Sequence, residues 1–218
     1  MYLKIRKVQT IDNQKITKMK TRILSLIAFI VLGFTAAASA NAATPAAKNY
    51  TILNDISHIN KIEIYGNVQV YVSDGSADQV KVYNNYYSED ALVQNKNGVL
   101  RISSYNTEKL VVWVTAADLR AISAYDNAEV RSFGNLSKID FDVELHNNAS
   151  AKLDLDAFNA TVTVADHAKA DLAGSAEQFN LNHNVSSTVN KSNFSAANYT
   201  EHKTDAPADA KNSDLAVI

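Results

Sequence analysis

Ile139-Asp-Phe-Asp-Val-Glu-Leu145, His146-Asn147-Asn148, Ala149-Ser-Ala-Lys-Leu-Asp-Leu155 is two stretches of apolar/polar alternation joined by a three-residue polar corner. Alternation with period two places Phe141, Val143, Leu145, Leu153 and Leu155 on one side of a strand. It leaves Asp140, Asp142, Glu144, Lys152, Asp154 and Asp156 on the other, facing water. The pattern recurs as Phe158-Asn-Ala-Thr-Val-Thr-Val164, Ala165-Asp166-His167, Ala168-Lys-Ala-Asp-Leu172. A third copy is Phe179-Asn-Leu181, Asn182-His183-Asn184, Val185-Ser-Ser-Thr-Val189.

The residues that follow the corners, Ala128, Ala149, Ala168 and Val185, are spaced by 21, 19 and 17. Val68, after Tyr65-Gly66-Asn67, fits the same template. One or two places before each anchor stands a residue that tolerates the left-handed region: Gly66, Asp126, Asn147, Asp166 and His183, then Asn67, Asn127, Asn148, His167 and Asn184. A recurrent backbone bend accounts for this. Repeats this short cannot bury an apolar face alone and must stack on their neighbours. The spacing therefore predicts an all-β right-handed parallel β-helix, a solenoid of roughly 20-residue rungs. A β-sandwich is the alternative, because alternating strands with turn signals describe it too.

Further alternation marks Ile62 and Ile64, Val68 to Val72, Val80 and Val82, and Leu110 to Val114. Asn97-Gly98, between Leu92-Val93 and Val99-Leu100-Arg101-Ile102, predicts a tight antiparallel hairpin, since both residues tolerate positive φ. The two prolines, Pro45 and Pro207, fall outside this region.

At the start, Lys18, Lys20 and Arg22 precede the twelve-residue apolar run Ile23–Phe34 and the small residues from Thr35 to Ala42. This is the order of a secretory signal, with cleavage expected after Ala40 or Ala42. Met19 makes a more conventional start than Met1. The organisation expected is a leader and signal peptide over 1–40, a β-helical domain over 41–200, and an irregular cap or loose tail over 201–218. The mature form should keep no stable membrane span, since a span needs roughly 20 apolar residues.

Without residues 1–40 the chain keeps 14 basic and 22 acidic residues, a net charge of −8. That sign disfavours nucleic acid and anionic lipid surfaces. Cysteine is absent, which excludes disulfides, iron–sulfur clusters and thiol nucleophiles. An exported domain without disulfides, held by its own core, suits a bacterial envelope, whether in the periplasm, at the outer surface or released.

A strand pair around Gly66-Asn67-Val68-Gln69-Val70-Tyr71-Val72 is followed by Gly98-Val99-Leu100-Arg101-Ile102, by Val111-Val112-Trp113-Val114-Thr115, and then by corner-and-strand repeats. With the signal-like leader, this succession resembles the auto-transporter adhesin head GIN domain family over roughly residues 55–200. Members of that family typically carry Gly-Ser-Gly-like corners; here the corners are Asp126-Asn127, Asn147-Asn148, Asp166-His167 and Asn184. The resemblance implies an exported, β-helical, non-enzymatic domain with a surface-adhesion role, and it names no ligand.

The search for chemistry yields no catalytic, cofactor-binding or metal-binding residues. His146, His167 and His183 lie in the corners beside Asp126 and Asp166, but at three different places of the template, so stacking offsets them laterally. Solvated turns, not a metal site, are expected. No His-Glu-x-x-His, Gly-x-Ser-x-Gly or phosphate-binding glycine loop occurs. Tyr83, Tyr86, Tyr87, Tyr105 and Trp113 gather in the N-terminal half, the first place to seek a binding surface. The reading is a non-catalytic binding or structural module of the cell envelope, contacting a protein or glycan, with no cofactor. Two alternatives are a polysaccharide lyase or hydrolase on the same scaffold and an envelope stress or signalling accessory. The exposed end of a short solenoid also makes a homodimer plausible.

Overall fold

Residues 50–53, 56–83 and 91–204 are described by the computed structural model. The signal-like leader, Tyr86, Tyr87 and the stretch 205–218 lie outside the described residues. The alternating segments become β1 (Thr51–Leu53), β2 (Lys61–Gly66), β3 (Val68–Asp74), β4 (Gln79–Val82), β5 (Ala91–Lys96), β6 (Val99–Ser104) and β7 (Leu110–Ala116). They continue as β8 (Ala121–Ala124), β9 (Glu129–Ser132), β10 (Leu136–Leu145), β11 (Ser150–Val164), β12 (Lys169–Asn184) and β13 (Thr188–Thr204). The described residues contain no helix. All thirteen strands join one strongly curled mixed sheet.

The repeat appears directly in the register. Ile122 pairs with Val143, Val143 with Val162 and Val162 with Leu181, all in parallel and at intervals of 21, 19 and 19 residues. A second ladder stacks Ala151 between Val130 and Ala170, and a third stacks Leu155 between Leu136 and Gly174. One pass of about 19 residues thus supplies three strand segments, with the corners at register breaks. Antiparallel pairs are confined to β1 with β4, β4 with β7, and β5 with β6. An antiparallel sandwich would require the opposite balance.

Packing follows from the alternation. Phe141, Val143, Leu145, Leu153 and Leu155 are buried, whereas the six charged residues between them are exposed. Each fully buried Val, Leu, Ile or Phe contributes about 1.5–3 kcal/mol relative to exposure. A single net hydrogen bond contributes about 1 kcal/mol. The core therefore supplies the stability, and the corners supply the register.

At the corners, Gly66, Asp126, Asn147 and Asp166 have φ of 80°, 59°, 59° and 57°. The Gly66 N–H donates to Asp126 Oδ2 (3.0 Å), the Asp126 N–H to Asn147 Oδ1 (3.2 Å), and the Asn147 N–H to Asp166 Oδ2 (2.8 Å). Asp126 and Asn147 also accept at their carbonyls from the next corner, from Asn148 N–H at 2.9 Å and His167 N–H at 2.8 Å. Asp and Asn are therefore selected twice, for conformation and for reach.

Three expectations need correction. The last corner is not built like the others: His183 is not among the positive-φ residues, and Val185 is 50% exposed. Asn184 instead caps the turn with its side chain, its Oδ1 accepting the N–H of Ser187, three residues on, at 2.9 Å. Lys169 pairs with Thr188, so Ser187 takes the anchor position and the final interval is 19, not 17. Secondly, the first coils are not stacked in chain order. β2 lies between β6 and β8, and β3 between β7 and β9. The segment after the Asn97-Gly98 hairpin crosses to the outer side of the first coil, and the chain then returns to the inner side. Thirdly, β13 pairs with β12 as far as Thr204, four residues beyond the domain edge expected at 200.

The corner ladder makes a separable prediction. Asn147→Gly keeps the left-handed backbone and loses the side-chain acceptor, which should cost about 1 kcal/mol. Asn147→Ala adds left-handed strain and should cost about 2 kcal/mol. Urea unfolding at unchanged m measures both, and equal losses would mean that the bend itself imposes no constraint.

Candidate functional site

Stacking coils in register aligns their outward side chains into rows that cross the strands at about 4.8 Å intervals. One row begins Lys81, Trp113, Tyr71 on β4, β7 and β3 and continues Arg131, Lys152, Asp171 on β9, β11 and β12. Trp113 stacks on Tyr71 with ring centroids 4.9 Å apart and meets Phe133 at 5.0 Å and Tyr83 at 6.2 Å. Tyr83 in turn meets Tyr50 at 5.1 Å. Phe133, at the end of β9, is fixed through its N–H to the Val72 carbonyl (2.7 Å), yet its ring is 62% exposed.

Below Phe133 the face hollows into a groove of about 400 Å³ whose walls include Tyr71, Arg131, Lys152, Asp154, Asp171 and Asn193. Its charges are loosely held: Arg131 is 3.7 Å from Glu129, and Lys152 is 3.6 Å from Asp171. Glu129 is engaged more closely by Lys109 and by Gln69 Nε2 at 3.1 Å. Such a surface can stack on an apolar ring face and offer donors and acceptors side by side.

Another outward face carries a different set. Tyr65, Tyr125 and His146 stack at 4.8 and 4.9 Å with nearly parallel rings. Glu63 holds Arg101 at 2.7 Å and Lys61 at 3.4 Å. Burial pushes the Glu63 carboxyl up, but the hydrogen bonds from Arg101 and Lys61 outweigh it and bring its pKa below the ordinary value. Asp140, Asp142 and Glu144 are exposed here. No two acids meet along this ladder: Asp140 pairs with Asn159, Asp142 with Ala121 and Thr161, and Glu144 with Ser123 and Thr163. Asp156 pairs with Ser137 and Ser175, and Asp154 with Ala173.

The histidines go to separate tasks. His146 is in the tyrosine stack, His167 is exposed at its corner, and His183 Nε2 lies 2.8 Å from Glu201. Among the described residues no group of three or more His, Cys, Asp or Glu could hold a metal ion. Glu201 also accepts from Lys191 Nζ at 2.9 Å and from the Tyr199 hydroxyl. This cluster borders a small apolar hollow of about 270 Å³ between Phe179, Phe194 and Tyr199 at the β13 end.

Of the aromatics singled out in the sequence, Tyr83 and Trp113 come together. Tyr105 does not; it sits at a corner with its hydroxyl 3.3 Å from Asp126. Tyr71, Phe133 and Arg131 were missed. The signal for Tyr71 was present, since Val70-Tyr71-Val72 and Val112-Trp113-Val114 have the same inward valines around an outward ring.

A family model described as "Putative auto-transporter adhesin, head GIN domain" matches residues 58–210. No curated protein gives a significant match. Among solved structures, an adhesin described as "putative" from Bacteroides fragilis superposes with TM-score 0.61 at 16% identity, covering 72% of this chain and 78% of its own. A similarly described adhesin from Parabacteroides merdae gives 0.53 at 14%, covering 71% and 76%. A "putative lipid binding protein" from Parabacteroides distasonis gives 0.54 at 11%, covering 72% and 79%. At these identities the likeness concerns the fold.

The Glu201 cluster gives a pH prediction. Hydrogen bonds from Tyr199, then Lys191 and His183, lower its pKa from 4.5 to about 2. A carboxyl depressed in the native state contributes stability that is fully present above its unfolded pKa and lost as pH falls through its native one. The stability advantage of the native chain over Glu201→Gln should therefore hold above pH 4.5 and shrink between 4.5 and about 2. Denaturant unfolding across that range checks it; an advantage that vanished already at pH 6 would contradict it.

Proposed function

We propose, since the chain belongs to the auto-transporter adhesin head GIN domain family, that it is an exported, non-catalytic binding and structural module of the cell envelope. Its scaffold in this reading is a right-handed parallel β-helix, whose coils hold a contact surface rigid while the loops stay short. The contact surface is the face of Tyr71, Trp113, Phe133, Arg131 and Lys152. The observation that carries this is Phe133: among the exposed apolar residues that extend a packed aromatic cluster it is the most exposed, at 62%, and it lies 5.0 Å from Trp113, which stacks on Tyr71. Buried or half-buried aromatics and arginine dominate recognition surfaces energetically.

Asp154 and Asp171 share the groove, but Asp171 is paired with Lys152 and Asp154 accepts from Asn135 Nδ2, and the other acids are dispersed, which supports the non-catalytic reading. A glycoside hydrolase needs two carboxyl groups flanking the scissile bond. Here each outward acid on the parallel ladders is paired with Ala, Ser, Thr, Asn, Gln, Leu or a basic residue. Alternation of that kind avoids like-charge repulsion between coils.

Titrating fluorescently labelled protein onto whole cells or isolated envelopes tests the surface. Phe133→Ala should weaken binding by about tenfold or more, the scale of truncating a central aromatic anchor. Glu144→Gln, on the tyrosine-stack face, should leave it unchanged. The reverse pattern would move the contact surface to the other face. Release of sugar fragments from envelope polysaccharide would overturn the non-catalytic reading.

A further inference from the structure

We infer that the groove below Phe133 takes an uncharged glycan, with the sugar chain lying along the row from Trp113 to Asp171. This inference rests on the reading of that face as the contact surface and adds the class of ligand. Three observations carry it. The first is charge balance: Arg131 and Lys152 line the groove together with Asp154 and Asp171, so it has no net charge to offer an acidic polymer. An anionic chain would be repelled by the two aspartates as much as it is attracted. An uncharged polyol instead needs donors and acceptors mixed, because each hydroxyl both donates and accepts.

The second is the form of the polar groups. The guanidinium of Arg131 and the carboxylates of Asp154 and Asp171 are planar and offer two atoms to a pair of neighbouring hydroxyls. The ion pairs of Arg131 with Glu129 at 3.7 Å and of Asp171 with Lys152 at 3.6 Å are long enough to yield to a ligand without breaking a tight bond. Exposed pairs of this kind contribute only about 0–1 kcal/mol, so releasing them costs little.

The third is the aromatic border. Phe133 presents an exposed ring and Tyr71 a half-buried one beside polar groups. A pyranose has that same division between an apolar C–H face and a polar rim. The row repeats at the strand spacing of about 4.8 Å, which suits a linear chain of sugar units better than a globular partner. A protein partner would instead call for a larger apolar patch that excludes water around its anchor.

Trp113 is the only tryptophan and lies 5.0 Å from Phe133, so intrinsic fluorescence reports on this groove. The full chain is titrated with linear neutral hexose oligosaccharides (cello-, laminari- and manno-hexaose), and with polygalacturonate and polyglutamate as anionic comparators, by calorimetry and Trp113 emission. At least one neutral hexaose should bind, shift the emission and lose affinity by about tenfold in both Phe133→Ala and Asp171→Asn. Its affinity should change little between 50 and roughly 300 mM salt, because screening acts on charged partners. Binding of polygalacturonate with a steep salt dependence, and of no neutral sugar, would overturn the inference and make the ligand an acidic glycan. Equal binding of polyglutamate would reduce the groove to unspecific charge and overturn it as well. If no sugar binds but Phe133→Ala still abolishes envelope binding, the ligand class is wrong and the surface stands. If Phe133→Ala leaves envelope binding intact, the surface itself is wrong.

Discussion

A residue held at positive φ, whose side chain accepts the N–H of the corner before it, is the constraint on which the stacked repeats depend. Asp126, Asn147 and Asp166 occupy that place, each bonded to the preceding corner at 2.8–3.2 Å. Parallel strands cannot be joined by a two-residue turn, so the chain must leave its strand and bend before the next repeat pairs with it in parallel. The left-handed residue makes the bend, and the bond between corners fixes where that pairing lands. A slip of one residue would turn every inward Val and Leu to water. The corner bond is small in energy, yet it selects the register in which the core can form.

Register then decides what the outer surface can be. With inward positions committed to the core and corner positions committed to Gly, Asp or Asn, only the outward positions are free to vary. Stacking turns them into rows, so one outward residue per coil becomes a continuous stripe. Interposing the first coil between the second and third places Tyr71 directly between Trp113 and Arg131. Had the repeats followed chain order, Trp113 instead of Tyr71 would have bordered Arg131. The exchange of order therefore sets which ring lines the groove: Tyr71 and not Trp113.

Much of this was legible in the sequence and some was not, for definable reasons. Inward residues from Phe141 to Leu155 follow from alternation, because period two has one solution once a strand is given. The corners at Asp126, Asn147 and Asp166 follow from residue type. The last corner was misplaced because His183 and Asn184 fit the left-handed template, while the Asn184 side-chain cap on Ser187 uses the same residue types for another geometry. Ile139 and Phe158 show a related limit: both extend the alternation but fall at register breaks, and they are 76% and 56% exposed. Coil order was not legible, since the pattern of one coil says nothing about which side its neighbour takes. Phe133 and Arg131 were missed because nothing in their local pattern sets them apart: singly they are an ordinary aromatic and an ordinary cation.

The same division explains why fold and ligand separate within such a scaffold. The core needs only apolar residues of suitable volume at alternate positions, and the corners need only a few residue types, so many sequences satisfy both. Neither requirement touches the outward row. A chain can therefore keep the coil while exchanging every residue of the groove, and structures alike in backbone need share no partner. What this chain binds must follow from its own Tyr71, Phe133, Arg131, Lys152 and Asp171, because these are the positions that the fold leaves undetermined.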